Sequence, residues 1–155
     1  MLPDRQPDRR SAGDRPVHLR AADLGLVFIG GTGGTLARFG LAEVLPTPEG
    51  LPLGIFLVNI IGAFALGLLL EALARRGPDE GRYRTLRLLL GTGFLGGFTT
   101  YSALAVDSAL LIDAGRAPEA LAYLASSVLV GLAATAAGIA AGSRVRRGPA
   151  AEPVP

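Results

Sequence analysis

Leu51 to Ala74 reads LPLGIFLVNIIGAFALGLLLEALA, and this stretch decides the class of the protein. Its one charged residue, Glu71, stands close to its end. About 20 mostly apolar residues in a helix cross the hydrocarbon core of a bilayer. Three further runs of the same kind surround it. Leu24 to Leu41 (LGLVFIGGTGGTLARFGL) comes before; Leu86 to Ile112 (LRLLLGTGFLGGFTTYSALAVDSALLI) and the Ala-, Leu- and Gly-rich Pro118 to Gly142 come after. The pattern predicts an all-α membrane protein with four transmembrane helices over residues 24–41, 51–74, 86–112 and 118–142. Arg75 to Thr85 reads as a charged loop. Residues 1–23 carry interspersed Pro, Asp and Arg and no apolar core of a signal peptide, so they read as a disordered cytoplasmic tail. Residues 143–155 form a polar C-terminal tail.

Composition narrows the chemistry. The 155 residues are 50% hydrophobic and only 18% charged, against roughly 25% charged in soluble domains. With no Cys there is no disulfide framework, no thiolate-held metal and no thiol nucleophile. With no Lys there is neither a Schiff base nor a P-loop lysine. The single histidine, His18, lies in the N-terminal tail, too little for a triad or a His-rich metal site. No acid–base or nucleophile set remains, so an enzyme is not expected. The net charge is only +2 and the arginines flank apolar runs, which points to membrane topology rather than nucleic acid.

Five arginines precede the first run, five lie between or border the second and third runs, and three follow the fourth. Arg116 alone occupies the opposite side, and Arg38 sits within the first run. The positive-inside rule therefore predicts both termini in the cytoplasm of a multi-pass plasma-membrane protein. Such a bias also opposes insertion of the same chain in both orientations.

Polar groups at membrane depth are costly and need a partner or a wet cavity. Asn59, in the middle of the second run, fits two roles: an interhelical hydrogen bond, or an amide whose N–H groups face an anion. In the third run Gly91, Gly93, Gly96 and Gly97 precede Thr99, Thr100 and Ser102. Gly93 and Gly97 make a GxxxG packing pair, but so dense a patch also predicts a helix broken at mid-membrane, whose released carbonyls could hold a cation such as Na⁺. Arg38 could snorkel, pair with Glu43, or stabilise an anion vestibule. Glu71 and Asp107 read as interfacial. Tyr123 and Ser127 are one turn apart, so their hydroxyls share a face of the last helix. Ser126 and Thr135 add hydroxyls to that helix. GlyGlyThrGlyGly at 30–34 lies inside an apolar run with no preceding strand, which argues against a nucleotide loop.

Together these segments resemble the Fluc (CrcB) family of fluoride channels. The family's GGxxGAxxR-aromatic pattern resembles Gly30 to Phe39 approximately. Its G-T-x-x-V-N-x-x-G pattern is similar to Gly54 to Gly62, with Asn59 as the amide. Its helix-three signature G-F-x-G-G-x-T-T-F-S resembles Gly93-Phe94-Leu95-Gly96-Gly97-Phe98-Thr99-Thr100-Tyr101-Ser102. The likeness covers residues 24–142 in order and spacing, and the helix-three string is the specific part.

The resemblance implies a passive, fluoride-selective channel that relieves cytoplasmic fluoride toxicity. Fluoride enters as neutral HF, dissociates in the less acidic cytoplasm and is trapped there. It implies an antiparallel dimer with pores at the subunit interface. It also implies a structural Na⁺ that is not transported, held by the carbonyls of Gly96 and Thr99. Asn59, Tyr101, Ser102, Tyr123 and Ser127 become the expected anion path, and Arg38 a structural residue. Aromatic ring edges, positive by their quadrupole, belong to such a path. One departure matters: the family's continuation S-T-F is Ser102-Ala103-Leu104 here, so a ring edge is lost. With the arginine bias, this predicts one half of a heterodimer whose partner subunit carries the opposite bias. The alternatives are a non-conducting structural partner in such a pair and a small multidrug/proton antiporter. The latter needs a mid-membrane carboxylate that the first run lacks.

Overall fold

A computed structural model describes residues 21–45 and 51–145. All regular structure among them is helical. Helix α1 is Ala21–Val44 and α2 is Leu53–Arg76. Helix α3, residues 81–98, joins α-helical Gly81–Leu86, π-helical Arg87–Leu95 and a last turn Gly96–Phe98. Helix α4 is Tyr101–Asp113 and α5 is Ala117–Gly142. α3 and α4 together form the third of four apolar crossings.

Two boundaries differ from the sequence reading. α1 begins at Ala21, inside the expected tail, and brings Asp23 into its first turn, where a carboxylate opposes the helix dipole favourably. Asp23 is held there by Arg84, 2.6 Å away. The expected loop over 75–85 shrinks to residues 77–80. Arg75 and Arg76 complete α2, where cations suit a helix C-terminus, and α3 is under way from Gly81. α2 ends at Gly77, whose φ of +154° few side chains tolerate. Arg87 then reaches back to Asp79 with two nitrogens, Nε at 2.8 Å and Nη2 at 2.7 Å, a bidentate pair. That hydrogen-bonded guanidinium holds the exposed Asp79 carboxyl below its usual range.

Glycine sets how the crossings meet. A Cβ on Gly30 would strike Leu89 O, and one on Gly34 would strike Phe94 O. From the other side, a Cβ on Gly93 would lie 3.0 Å from Gly30 Cα, and one on Gly97 would strike Gly31 O. α1 and α3 thus pack backbone on backbone. α2 and α5 do the same: Gly138 faces Phe64 O and Gly142 lies against Leu68 O, where a Cβ would come within 2.8 Å. In lipid, where apolar side chains gain nothing by leaving an apolar solvent, such close approach supplies the packing energy.

The interior is small. Val58 is the only large side chain fully buried among the described residues. Phe28, Phe39, Leu121 and Leu132 are exposed on the outer faces of α1 and α5. Surfaces of this kind are covered by lipid or by a second subunit.

Candidate functional site

The third crossing breaks at Thr99 and Thr100. Both are extended, with φ/ψ of −80°/156° and −150°/126°. The sequence places a break somewhere in GTGFLGGFTT. The structure puts it at the last two residues and keeps Gly91, Gly93, Gly96 and Gly97 helical. Gly93 and Gly97 serve the contact with α1 instead. Gly62 on α2 leaves the space that Thr99 Cγ2 occupies.

Asn59 meets this break directly. Its Oδ1 accepts the Thr100 N–H at 2.8 Å, and its Nδ2 donates to Thr100 O at 3.0 Å. Asn59 Oδ1 therefore replaces the helix acceptor that the break takes from the Thr100 N–H, a requirement for any backbone group away from water, and Nδ2 adds a second hold on the same residue. Nδ2 carries a second hydrogen that this pairing does not use.

In a continuous helix the Thr100 N–H would go to Gly96 O and the Ala103 N–H to Thr99 O. The first is turned to Asn59. The second is turned to Thr100 Oγ1, 3.2 Å away, which caps α4. Gly96 O and Thr99 O, the two carbonyls expected to hold a cation, are thus relieved of those partners. Thr99 N–H and Oγ1 still donate to Leu95 O, each at 3.0 Å. Hard, uncharged oxygens of this type suit Na⁺.

Arg38 donates from Nε to Gly97 O at 3.3 Å, and Thr35 Oγ1 lies 3.4 Å from the same carbonyl. Among the described residues no ion pair joins Arg38 to Glu43. α1 thus braces the turn immediately before the break.

The remaining expected residues separate. Tyr101 is 80% exposed and projects from the protomer surface. Ser102 Oγ lies 3.1 Å from Thr100 Oγ1. On α5, Tyr123 is buried, its ring 6.5 Å from that of Phe56, one turn before Asn59 on α2. Tyr123 OH and Ser127 Oγ are both buried without a hydrogen-bond partner. Ser126 and Thr135 instead donate to carbonyls of their own helix. No hydrogen bond links Tyr123 or Ser127 to Asn59 among the described residues.

Two residues carry more than the sequence reading assigned. Thr100 is the cap of α4, a role signalled by a threonine just before an apolar helical run. Asp107 reads as interfacial, yet its Oδ2 is buried and partnerless. The residue also lines a cavity of about 240 Å³ with Pro52, Leu111 and Arg116. Leu104 is buried, and its carbonyl accepts from Ser108 Oγ at 2.7 Å.

Residues 25–139 match the family model described as CrcB-like protein, Camphor Resistance (CrcB). The chain is 52% identical over 135 residues to fluoride-specific ion channel FluC 2 of Leifsonia xyli subsp. xyli, covering 86% of this chain and 93% of that protein. It is 48% identical over 109 residues to fluoride-specific ion channel FluC 1 of Cutibacterium acnes, covering 70% of this chain and 76% of the relative. Fluoride-specific ion channel FluC of Caulobacter vibrioides is 39% identical over 122 residues, covering 77% of this chain and 94% of the relative.

Proposed function

The chain belongs to the CrcB-like family, and from that premise we propose that it is a subunit of a passive, fluoride-selective channel that lowers cytoplasmic fluoride. The observation that carries this reading is the pair of buried, partnerless hydroxyls on α5, Tyr123 OH and Ser127 Oγ. A desolvated donor without an acceptor is costly, and a small anion supplies the acceptor. Fluoride is strongly hydrated, so its path must replace water with aimed donors. The free hydrogen of Asn59 Nδ2 adds a donor on the α2 side. Tyr101, exposed on the protomer, offers a ring edge and a hydroxyl to whatever covers that face.

The break supports a structural Na⁺ that is not transported. Gly96 O and Thr99 O would hold it, and its charge would satisfy two carbonyls that the break leaves without their helix donors. The chemistry it supplies is electrostatic and structural only.

The arginine bias supports cytoplasmic termini and a heterodimer, in which a second family subunit of opposite bias lies antiparallel to this one. Leu104 favours a second reading, a subunit that completes the assembly while its own pore is silent. Fluoride-electrode traces of efflux from proteoliposomes test both. Efflux is expected only when this chain is reconstituted with a partner of opposite bias. Full-rate efflux from this chain alone removes the heterodimer, and silence from the pair removes the channel.

A further inference from the structure

We infer that Thr100 is the positioning residue that opens the third crossing to a cation, with Asn59 as its clamp; this rests on the reading of the break as a Na⁺ site. Both released carbonyls trace to this one residue. Its N–H goes to Asn59 Oδ1 at 2.8 Å and leaves Gly96 O. Its Oγ1 takes the Ala103 N–H at 3.2 Å and leaves Thr99 O. Its own carbonyl accepts from Asn59 Nδ2 at 3.0 Å, so the extended backbone of Thr100 is held by the Asn59 amide and by its own Oγ1 cap together, and each hold is needed.

Thr100 touches no ion itself. It decides which backbone oxygens are free to do so. Without its hydroxyl, the Ala103 N–H has no side-chain acceptor and returns to Thr99 O. Without the Asn59 amide, the Thr100 N–H returns to Gly96 O. Each loss closes one of the two carbonyls. Thr100→Val keeps the β-branched shape and extended preference of threonine while deleting the acceptor. Thr100→Ser keeps the acceptor.

The test follows thermal unfolding of the full chain in its assembled form across a NaCl series, with choline chloride holding ionic strength constant. An ion that binds only the folded assembly raises its unfolding temperature, and the Na⁺ concentration of half effect reports affinity. Thr100→Val is expected to raise that concentration about tenfold or more, and Thr100→Ser to stay within about twofold. A merely structural role would lower stability equally at every Na⁺ concentration; an unmoved half-effect concentration in Thr100→Val overturns the inference. Should Thr100→Val fail to fold, Asn59→Ala reads the other carbonyl, with the same expected shift and the same overturning result. A wild-type assembly that ignores Na⁺ but conducts fluoride overturns this inference and leaves the channel reading intact. A Na⁺ response shifted by Thr100→Val in an assembly that conducts no fluoride supports it and removes the channel reading.

Discussion

Gly34→Ala should unfold or disassemble the protein, although it adds a single methyl to a helix that alanine favours. The new Cβ would be driven into Phe94 O, with Phe94 C and Phe98 N each 2.8 Å away. These are backbone atoms of α3, so no rotamer change relieves the clash. The helices must separate, and the neighbouring contacts of Gly30, Gly31, Gly93 and Gly97 separate with them. Overpacking costs about 1–3 kcal/mol where side chains can yield; here they cannot, and a loss at or above that range is expected. Gly40→Ala is the control. It lies on the same helix with nothing within 4 Å of its Cβ. There the better helix propensity should stabilise by roughly 0.5–1 kcal/mol. Melting temperatures and the fraction eluting as a single species in detergent separate the two variants. Equal behaviour would sink the backbone-on-backbone account of the α1–α3 contact.

Tyr123→Phe and Ser127→Ala should each slow fluoride permeation strongly without lowering stability. The two hydroxyls are buried with no partner in the protomer. A hydrogen bond to a charged group is worth about 1.5–3 kcal/mol, so losing one donor from the proposed anion path should reduce flux roughly ten- to hundredfold. A buried hydroxyl without a partner costs about 1–3 kcal/mol, so its removal should leave the melting temperature unchanged or raise it. Reduced transport with retained or improved stability marks groups kept for function. The outcome that counts against this assignment is a fall in stability at unchanged flux, which would make the hydroxyls structural. Thr135→Ala is the matched comparison on α5. Its Oγ1 already donates to Gly131 O at 3.0 Å, so its flux should stay near wild type.

The glycine-rich third crossing shows where sequence reasoning was sound and where it went astray. A dense run of Gly and Thr signals a departure from ordinary helix, and a break is present. The glycines look like its cause because they weaken helices in isolation. In the fold Gly93 and Gly97 lie against α1 glycines some sixty residues earlier in the chain, where a helix without side chains is an advantage, and Gly91 faces leucines of α2. The break falls instead at Thr99 and Thr100, because a partner for the diverted N–H exists on α2. Asn59 left two roles open from sequence. Its pairing is now plain, since one amide serves the Thr100 backbone from both ends. Asp107 looked interfacial because it stands near the end of an apolar run. That judgement uses position along the chain alone, whereas burial of its Oδ2 depends on what packs beside it.

What the sequence determined by itself is the class, the number of crossings and their order. Hydropathy adds up over consecutive residues, and backbone that faces lipid must be satisfied within its own segment. Four apolar runs therefore mean four helical crossings wherever they later pack. The tertiary structure alone decided which glycines touch, which carbonyls lose their partners and which hydroxyls are left without one. Each of these depends on atoms brought together from distant parts of the chain, as Asn59 and Thr100 are across 41 positions. A small change in helix separation makes or removes such contacts. Hydropathy is indifferent to it.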